Sequence, residues 1–404
     1  MTYKKLTSYV IENVLPDFDL NELVQPPLED PKVRFRNLAI DDPVLRARLL
    51  DAVDDALRNG QLVMGAQVEQ LEHRIASYCG VPHCVGVGSG TSAVYITLAS
   101  LNVGQGDEVI TTPLTAVAAT NAISATGATP VFVDIGEDLN FDADLIEGAI
   151  SPRTKAILAV HNTGRICDME KIMAIAADRG LWVVEDASQA WGAECALGRA
   201  GSLGHAAAIS ISQMKILNSY GEAGVTLTRD PDLAREMVLR RSSGLVNREV
   251  CLEPHLNHKI DTIQAAMTLA SFDEAENKIR RRLEIARSYY DALADVVACP
   301  EPPADINDRR SVFFDFTIST PERKALRRWM EDKGVEVKVR HPLTIADQPC
   351  YRGLPTRRPL PVASRLVGEI LSLPIHERLS DNDVGYVIEC ILDFFPKQKT
   401  PTPK

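Results

Sequence analysis

The sequence predicts an α/β protein in two parts: a large domain with a mostly parallel seven-stranded sheet, then a smaller α+β C-terminal domain. Two observations carry that expectation. Seven short β-rich runs lie between residues 84 and 228, and helix-like segments separate most of them. Continuous apolar strands alternating with helices indicate a parallel sheet covered on both faces. After about residue 245 the alternation gives way to one long helical stretch. A chain of 404 residues, 45% of them hydrophobic and 25% charged, has the ordinary globular mixture and can bury a core of this size.

Taken in order, residues 1–34 are acidic and broken by Pro16, Pro26, Pro27 and Pro31. They read as an arm with one or two short helical pieces, expected to pack across a dimer or near the active site. "DDPVLRARLLDAVDDALRNG" and "AQVEQLEHRIASYCG" have helical periodicity, and each stops at a glycine. The strand runs follow: "CVGVG" (84–88), "EVITT" (108–112), "PVFVDI" (130–135), "AILAV" (156–160), "LWVVE" (181–185), "AAISIS" (207–212) and "GVTLT" (224–228). Helices are expected at 91–101 and 168–180. The loop before "GVTLT" is too short for a helical crossover, so that strand is expected to run antiparallel to its neighbours. Beyond residue 245 the long helix "DTIQAAMTLASFDEAENKIRRRLEIARSYYDALADV" leads to a strand at 311–318, another helix and a closing helix, "DNDVGYVIECILDFF". The expected boundaries are an arm to 34, a large domain at 35–245, a small domain at 246–396 and a disordered tail at 397–404.

Composition excludes several classes. A net charge of -11 repels a phosphate backbone, so nucleic acid is not an expected partner. None of the eight cysteines forms a C-x-x-C pair, and no Cys/His grouping has zinc-finger spacing, so no metal is expected. The cysteines read as buried thiols of a reducing compartment. No apolar run approaches a membrane span, and the N-terminus lacks the features of a signal peptide. A cytoplasmic protein is expected.

In open parallel sheets, ligands sit beyond the carboxyl ends of the strands. Four such places stand out. In "GVGSGTSAVYITL" a strand runs into Gly88–Ser89–Gly90 and a helix opens at Thr91 or Ser92, which aims free N–H groups at an anion, or simply makes a tight turn. The spacing is not that of a dinucleotide fingerprint. In "LWVVEDASQAWGAE" Glu185 and Asp186 follow an apolar strand, with Gln189 one turn on; such a carboxylate caps a helix or pairs with a cationic ring nitrogen. Lys215, after "AAISIS", either packs its stem with its head in solvent or serves as a Schiff-base lysine. In "LNHKIDTIQAA" Asn257 precedes a helix and reads as its cap. Together these supply what a pyridoxal phosphate site needs: N–H donors for the phosphate, a carboxylate for the ring nitrogen and an amine for the aldehyde.

These segments resemble the DegT/DnrJ/EryC1/StrS family of sugar aminotransferases, which are fold-type I pyridoxal phosphate enzymes. "GSGTSAVYITLASLNVGQGDEVITT", "ATGATPVFVDI", "EDASQAWGAE", "GEAGVTLT", "LNHKIDTIQAA" and "EILSLPIHERLSDNDVGYVIECI" match in order and spacing, from about Val33 to about Phe395. The resemblance implies a homodimer with active sites at the interface. It implies that Lys215 is the cofactor-bearing and proton-moving lysine, that Asp186 pairs with the ring nitrogen, that Gln189 lies near the ring oxygen and that Ala187 lies against one ring face. Gly90, Thr91 and Ser210 would contact the phosphate, with Asn257 reaching it from the other subunit.

The sequence departs from the family where an aromatic residue usually stacks on the ring: Ala116 stands there. Thr163 and Arg165 replace an aromatic residue and an amide in "HNTGRICD", and "VRHPL" replaces a His-Tyr-Pro segment. His161, Arg165, Arg340 and His341 are therefore the substrate-side candidates, Arg165 as a clamp for a carboxylate or phosphate or as a surface ion pair. The implied activity is amino transfer from an amino acid, L-glutamate or L-glutamine, to a keto-sugar, keto-cyclitol or related ketone in specialised-metabolite or glycan biosynthesis. The alternatives are elimination on the same cofactor, which Lys215 disfavours, and a non-catalytic regulator on the same scaffold.

Overall fold

The structure, a computed structural model, describes Gln25 and residues 28–302, 309–354 and 359–395. The tail expected at 397–404 lies outside the described residues, as does the expected arm apart from Gln25 and residues 28–34.

Helix α1 (Pro43–Asn59) starts where Asp42 accepts the Val44 and Leu45 N–H groups and Pro43 presets the first turn. It ends at Gly60, whose φ of 69° is left-handed; α2 (Ala66–Cys79) ends likewise at Gly80, φ 73°. Glycine adopts this conformation without a Cβ penalty, which is why both periodic runs stop there.

The strands are β1 (His83–Val87), β2 (Glu108–Thr111), β3 (Thr129–Phe132), β4 (Thr154–Val160), β5 (Trp182–Asp186), β6 (Ala206–Ser210) and β7 (Gly224–Thr228). They form one sheet in the order β1-β7-β6-β5-β4-β2-β3. Only β7 is antiparallel, pairing with β1 on one side and β6 on the other. The helices between them are α3 (Gly90–Ser100), α4 (Val117–Ala125), α5 (Met169–Arg179) and, after β7, α6 (Pro231–Arg241). The strands are apolar throughout because both faces are covered. Ile157, Ala159 and Val183 enter one cluster, while Ala156, Leu158, Val160 and Val184 enter another on the opposite face.

The C-terminal part differs from expectation in three places. The long helix is two, α7 (Thr262–Ala270) and α8 (Glu274–Leu293), separated at Ser271–Asp273. Ser and Asp compete with the helix for backbone hydrogen bonds, and the Ser271 hydroxyl indeed donates back to Met267 O. The strand expected at 311–318 is shorter, β8 (Phe316–Ser319), because Phe313 turns the chain with φ 46°. Its antiparallel partner β9 (Ile370–Leu373) was not foreseen. Helices α9 (Arg323–Asp332), α10 (Pro361–Glu369) and α11 (Asp381–Phe394) complete the α-helices among the described residues. One apolar cluster runs from Ile209 and Val225 of the large sheet through Leu283 and Tyr289 of α8 to Phe316, Leu371 and Ile391.

All eight cysteines are free, but Cys251 and Cys350 are exposed, so the expectation of buried thiols holds only in part. No helix among the described residues is long and apolar enough to cross a membrane.

Leu158 lies at the centre of the sheet with no exposed surface. Leu158→Ala should lower stability by about 2–5 kcal/mol, read as a lower denaturant midpoint at unchanged slope.

Candidate active site

The strand register brings the chemistry to one edge. Val87 and Ser210, the last residues of β1 and β6, both pair with Gly224, the first of β7. Asp186 at the end of β5 lies between Val160 of β4 and Ala208 of β6.

At the first corner the chain leaves β1 and enters α3. Ser89 is the N-cap, its hydroxyl accepting the Ser92 N–H at 3.1 Å. The first N–H groups of a helix have no acceptor within it, and the helix dipole favours an anion there. A Cβ on Gly90 would lie 2.4 Å from Ser210 Cβ, and one on Gly224 would lie 2.5 Å from Ser89 O. Glycine is therefore required at both positions for α3 and Ser210 to come together. Thr91 is exposed beside them. This cradle of N–H groups and hydroxyls fits a phosphate.

Asp186 is 8% exposed; its Oδ1 accepts the Ser188 N–H at 3.1 Å, and Ser188 Oγ accepts the Ser210 N–H at 2.9 Å. Acid, cradle and β6 are thus linked through one serine. Gln189 Oε1 accepts the Thr163 N–H at 2.8 Å, across a turn in which Thr163 has φ 55°. Ala187, expected against a ring face, is instead fully buried in the apolar cluster and has no surface to offer. The partly exposed neighbour is Ser188.

His161 was expected on the substrate side, and the structure corrects this. It is fully buried, its Nδ1 accepts the Cys167 N–H at 3.3 Å, and its Nε2 meets Glu185 Oε2 at 3.0 Å. With Nδ1 accepting, Nε2 carries the proton and donates. Glu185 also accepts the N–H groups of Gly201, Leu203 and Gly204 at 2.7, 2.7 and 2.9 Å. The backbone N–H of His161 donates to Asp186 O at 3.1 Å. The His161–Glu185 pair therefore ties down the ends of β4 and β5 from behind. Its chemistry was visible in the sequence as residue types, but not its inward orientation.

Lys215 sits in a turn just past β6, its N–H on Ser212 O at 2.9 Å. Its Nζ lies 4.8 Å from the centre of the Phe314 ring. Burial pushes the amine down to about 8; Asp186 and Asp315 oppose this, while Arg340 and Arg36 add to it. Lysine at a near-neutral pKa is a nucleophile and a proton acceptor, and a carboxylate beside it is available for a cationic ring.

Arg340 reaches the same place: its Nε contacts Asp315 Oδ2 at 3.0 Å. Burial holds the neighbouring His341 down at about 4, so it is neutral at pH 7. Arg165 instead pairs with Asp138 at 3.4 Å and Glu301 at 2.7 Å, the surface ion-pair alternative. Ala116 is exposed in the N-cap position of α4 and brings no aromatic surface; the ring beside Lys215 is Phe314. Asn257 caps no helix, since α7 begins at Thr262; it is exposed, and its Oδ1 accepts from the Lys259 N–H. The next residue packs on the cradle, His258 O accepting the Gly88 N–H at 2.8 Å. Arg36, at the edge of the arm, carried no motif and was missed.

Fold and site together define an aminotransferase of the fold-type I pyridoxal phosphate class, and the comparisons agree. The "X-ray crystal structure of S. venezuelae DesV in complex with ketimine intermediate" superposes with a TM-score of 0.86 at 34% identity, covering 91% of this chain and 99% of that one. The dTDP-3-amino-3,4,6-trideoxy-alpha-D-glucose transaminase of Micromonospora megalomicea subsp. nigra is 36% identical over 86% of this chain and 94% of its own length. A protein of Geobacillus stearothermophilus called "Pleiotropic regulatory protein" is 35% identical over 87% of this chain and 95% of its own. The DegT/DnrJ/EryC1/StrS aminotransferase family matches residues 43–392, and the chain belongs to it.

In the cofactor-free protein, amine-directed labelling of Lys215 should rise with pH through about 8, well below the ordinary 10.5, because the neutral amine prevails above its pKa. Arg340→Met should move that midpoint up and Asp186→Asn down, as read by peptide-resolved mass spectrometry across a pH series.

Proposed function

We propose that this aminotransferase moves an amino group from an amino acid, L-glutamate or L-glutamine, to a keto-sugar, keto-cyclitol or related ketone. The observation that carries it is the placement of Lys215 and Asp186 on one sheet edge with the Gly90–Ser210–Gly224 cradle. When bound, pyridoxal phosphate supplies the electron sink that stabilises negative charge on the substrate carbon.

The chain's own residues then have distinct tasks. The first N–H groups of α3, with Thr91 and Ser210, hold the phosphate. Asp186 keeps a proton on the ring nitrogen, and Gln189 faces the ring oxygen. The Lys215 amine would take the proton from the substrate's amine-bearing carbon and return it to the carbon on the far side of that nitrogen, two atoms away. His161 and Glu185 hold Asp186 in place. The donor becomes a 2-oxo acid and the acceptor carbonyl becomes an amine, so the exchange balances without another oxidant. Exposed Asn257 serves the phosphate of a second copy in a homodimer.

The DesV structure and the dTDP-sugar transaminase support a sugar-like acceptor. Ala116, Thr163 and the Arg340–His341 pair support one other than a standard nucleotide-linked hexose. The regulatory name of the Geobacillus relative is not carried over in this reading, because Lys215 and Asp186 are both present and electrostatically coupled.

Lys215→Ala should form no visible band with added pyridoxal phosphate and should lose amino transfer by about 10²–10⁴-fold or more. Wild-type protein should show the band and change it on adding L-glutamate or L-glutamine. A wild-type band that neither donor alters would contradict amino transfer from them, and unaltered transfer by the variant would contradict the role of Lys215.

A further inference from the structure

The described residues from Gln25 to Arg36 precede the stretch 43–392 that the family matches, and no step above uses their contacts. They lie along one edge of the small domain. Val33 forms a parallel bridge to Val335, with its N–H on Gly334 O at 3.1 Å and its O taking the Glu336 N–H at 2.9 Å. The Glu336 carboxylate accepts on both sides of that bridge, from the Leu28 N–H at 3.3 Å and the Phe35 N–H at 3.0 Å. Gln25 reaches Val339: its Nε2 donates to Val339 O at 2.8 Å, and its Oε1 accepts the Val339 N–H at 2.9 Å. On the other side Lys338 exchanges both backbone bonds with Ser372 of β9, at 3.0 and 2.8 Å. The segment 335–339 is therefore held between β9 and the residues ahead of α1.

An amide side chain donates and accepts from one planar group, which is what a neighbouring strand offers a residue. A carboxylate could not donate, and an apolar side chain would leave the backbone of Val339, a residue 3% exposed, without these partners. Val339 O belongs to the peptide that joins Val339 to Arg340. That peptide is planar, so fixing its oxygen fixes the direction in which the chain enters Arg340. Arg340 Nε then lies 3.0 Å from Asp315 Oδ2. The same N-terminal stretch delivers Arg36, whose Nη2 donates to Asp315 Oδ1 at 2.8 Å and to Phe314 O at 2.9 Å. Both guanidinium groups on Asp315 thus depend on residues ahead of the family match.

We infer that Gln25 is a positioning residue for the active site: its amide fixes the peptide between Val339 and Arg340 and so holds the Arg340 guanidinium on Asp315 beside Lys215. This rests on the aminotransferase reading only for the use made of Lys215. Arg340 and Arg36 favour the neutral amine there, against Asp186 and Asp315, so an Arg340 that swings away leaves Lys215 charged to higher pH.

The test is the pH midpoint of Lys215 labelling in the cofactor-free protein. Gln25→Met keeps the size and removes both hydrogen bonds; it should raise the midpoint by about 0.5–1 on the pH scale. Gln25→Asn, one methylene short of both groups, should do the same. Arg340→Met should raise the midpoint too, and adding Gln25→Met to it should raise it no further, since both act through one guanidinium. Lys32→Ala is the control. It frees the same stretch from the Tyr386 hydroxyl, 3.2 Å from Lys32 Nζ, without touching Val339, and should leave the midpoint at the wild-type value. With pyridoxal phosphate at pH 7 the visible band should form about 3–10-fold more slowly in Gln25→Met, the difference closing as the pH passes about 10. An unmoved midpoint in both Gln25 variants, an equal shift in Lys32→Ala, or shifts that add in the double variant would overturn the inference. A wild type that forms no band while the Gln25→Met shift is present upholds the inference and defeats only the cofactor reading. A band without that shift defeats only the positioning role of Gln25.

Discussion

Lys215 is caught between opposing terms. Burial lowers its proton affinity to about 8, while Asp186 and Asp315 raise it and Arg340 and Arg36 lower it again. A lysine in water would stay an ammonium and attack nothing; one buried without carboxylates would lose its proton altogether. The remaining architecture can be understood as what it takes to hold one amine at this balance. The turn at Ser212 aims it, Phe314 closes its surroundings and Asp186 approaches from the adjacent strand, β5.

That arrangement depends on the sheet. Parallel strands end on the same edge, so residues far apart in the chain meet there without long connecting loops. The antiparallel β7 places Gly224 where β1 and β6 both end, and the absence of a side chain at Gly90 and Gly224 lets α3 approach Ser210. Behind the edge, buried Glu185 gathers three backbone N–H groups and His161. Removing one partner from such a network leaves buried polar groups unpaired, which makes it stiff. Asp186 inherits that stiffness through the His161 backbone.

Much of this was legible beforehand because it is local. Strand runs, helices stopping at Gly60 and Gly80, and the reversed direction of "GVTLT" follow from periodicity, left-handed glycine and loop length. The loop, acid and lysine lie next to strand ends, where sequence alone locates them. What failed depends on long-range packing. His161 looks like a site residue until both ring nitrogens are seen to be engaged, and Ala187 until its surface is seen to be covered. Phe314 and Asp315 read as the middle of a strand, whereas the turn at Phe313 delivers them to Lys215. Arg36 has no motif, and only the fold brings it opposite Arg340.

The central claim is that Lys215 is the residue that carries the cofactor. Protein mixed with pyridoxal phosphate would be reduced with borohydride, digested and mapped by mass spectrometry. The account predicts one modified peptide, bearing the reduced cofactor on Lys215. A folded protein that carries no label, or carries it on another lysine, would contradict it.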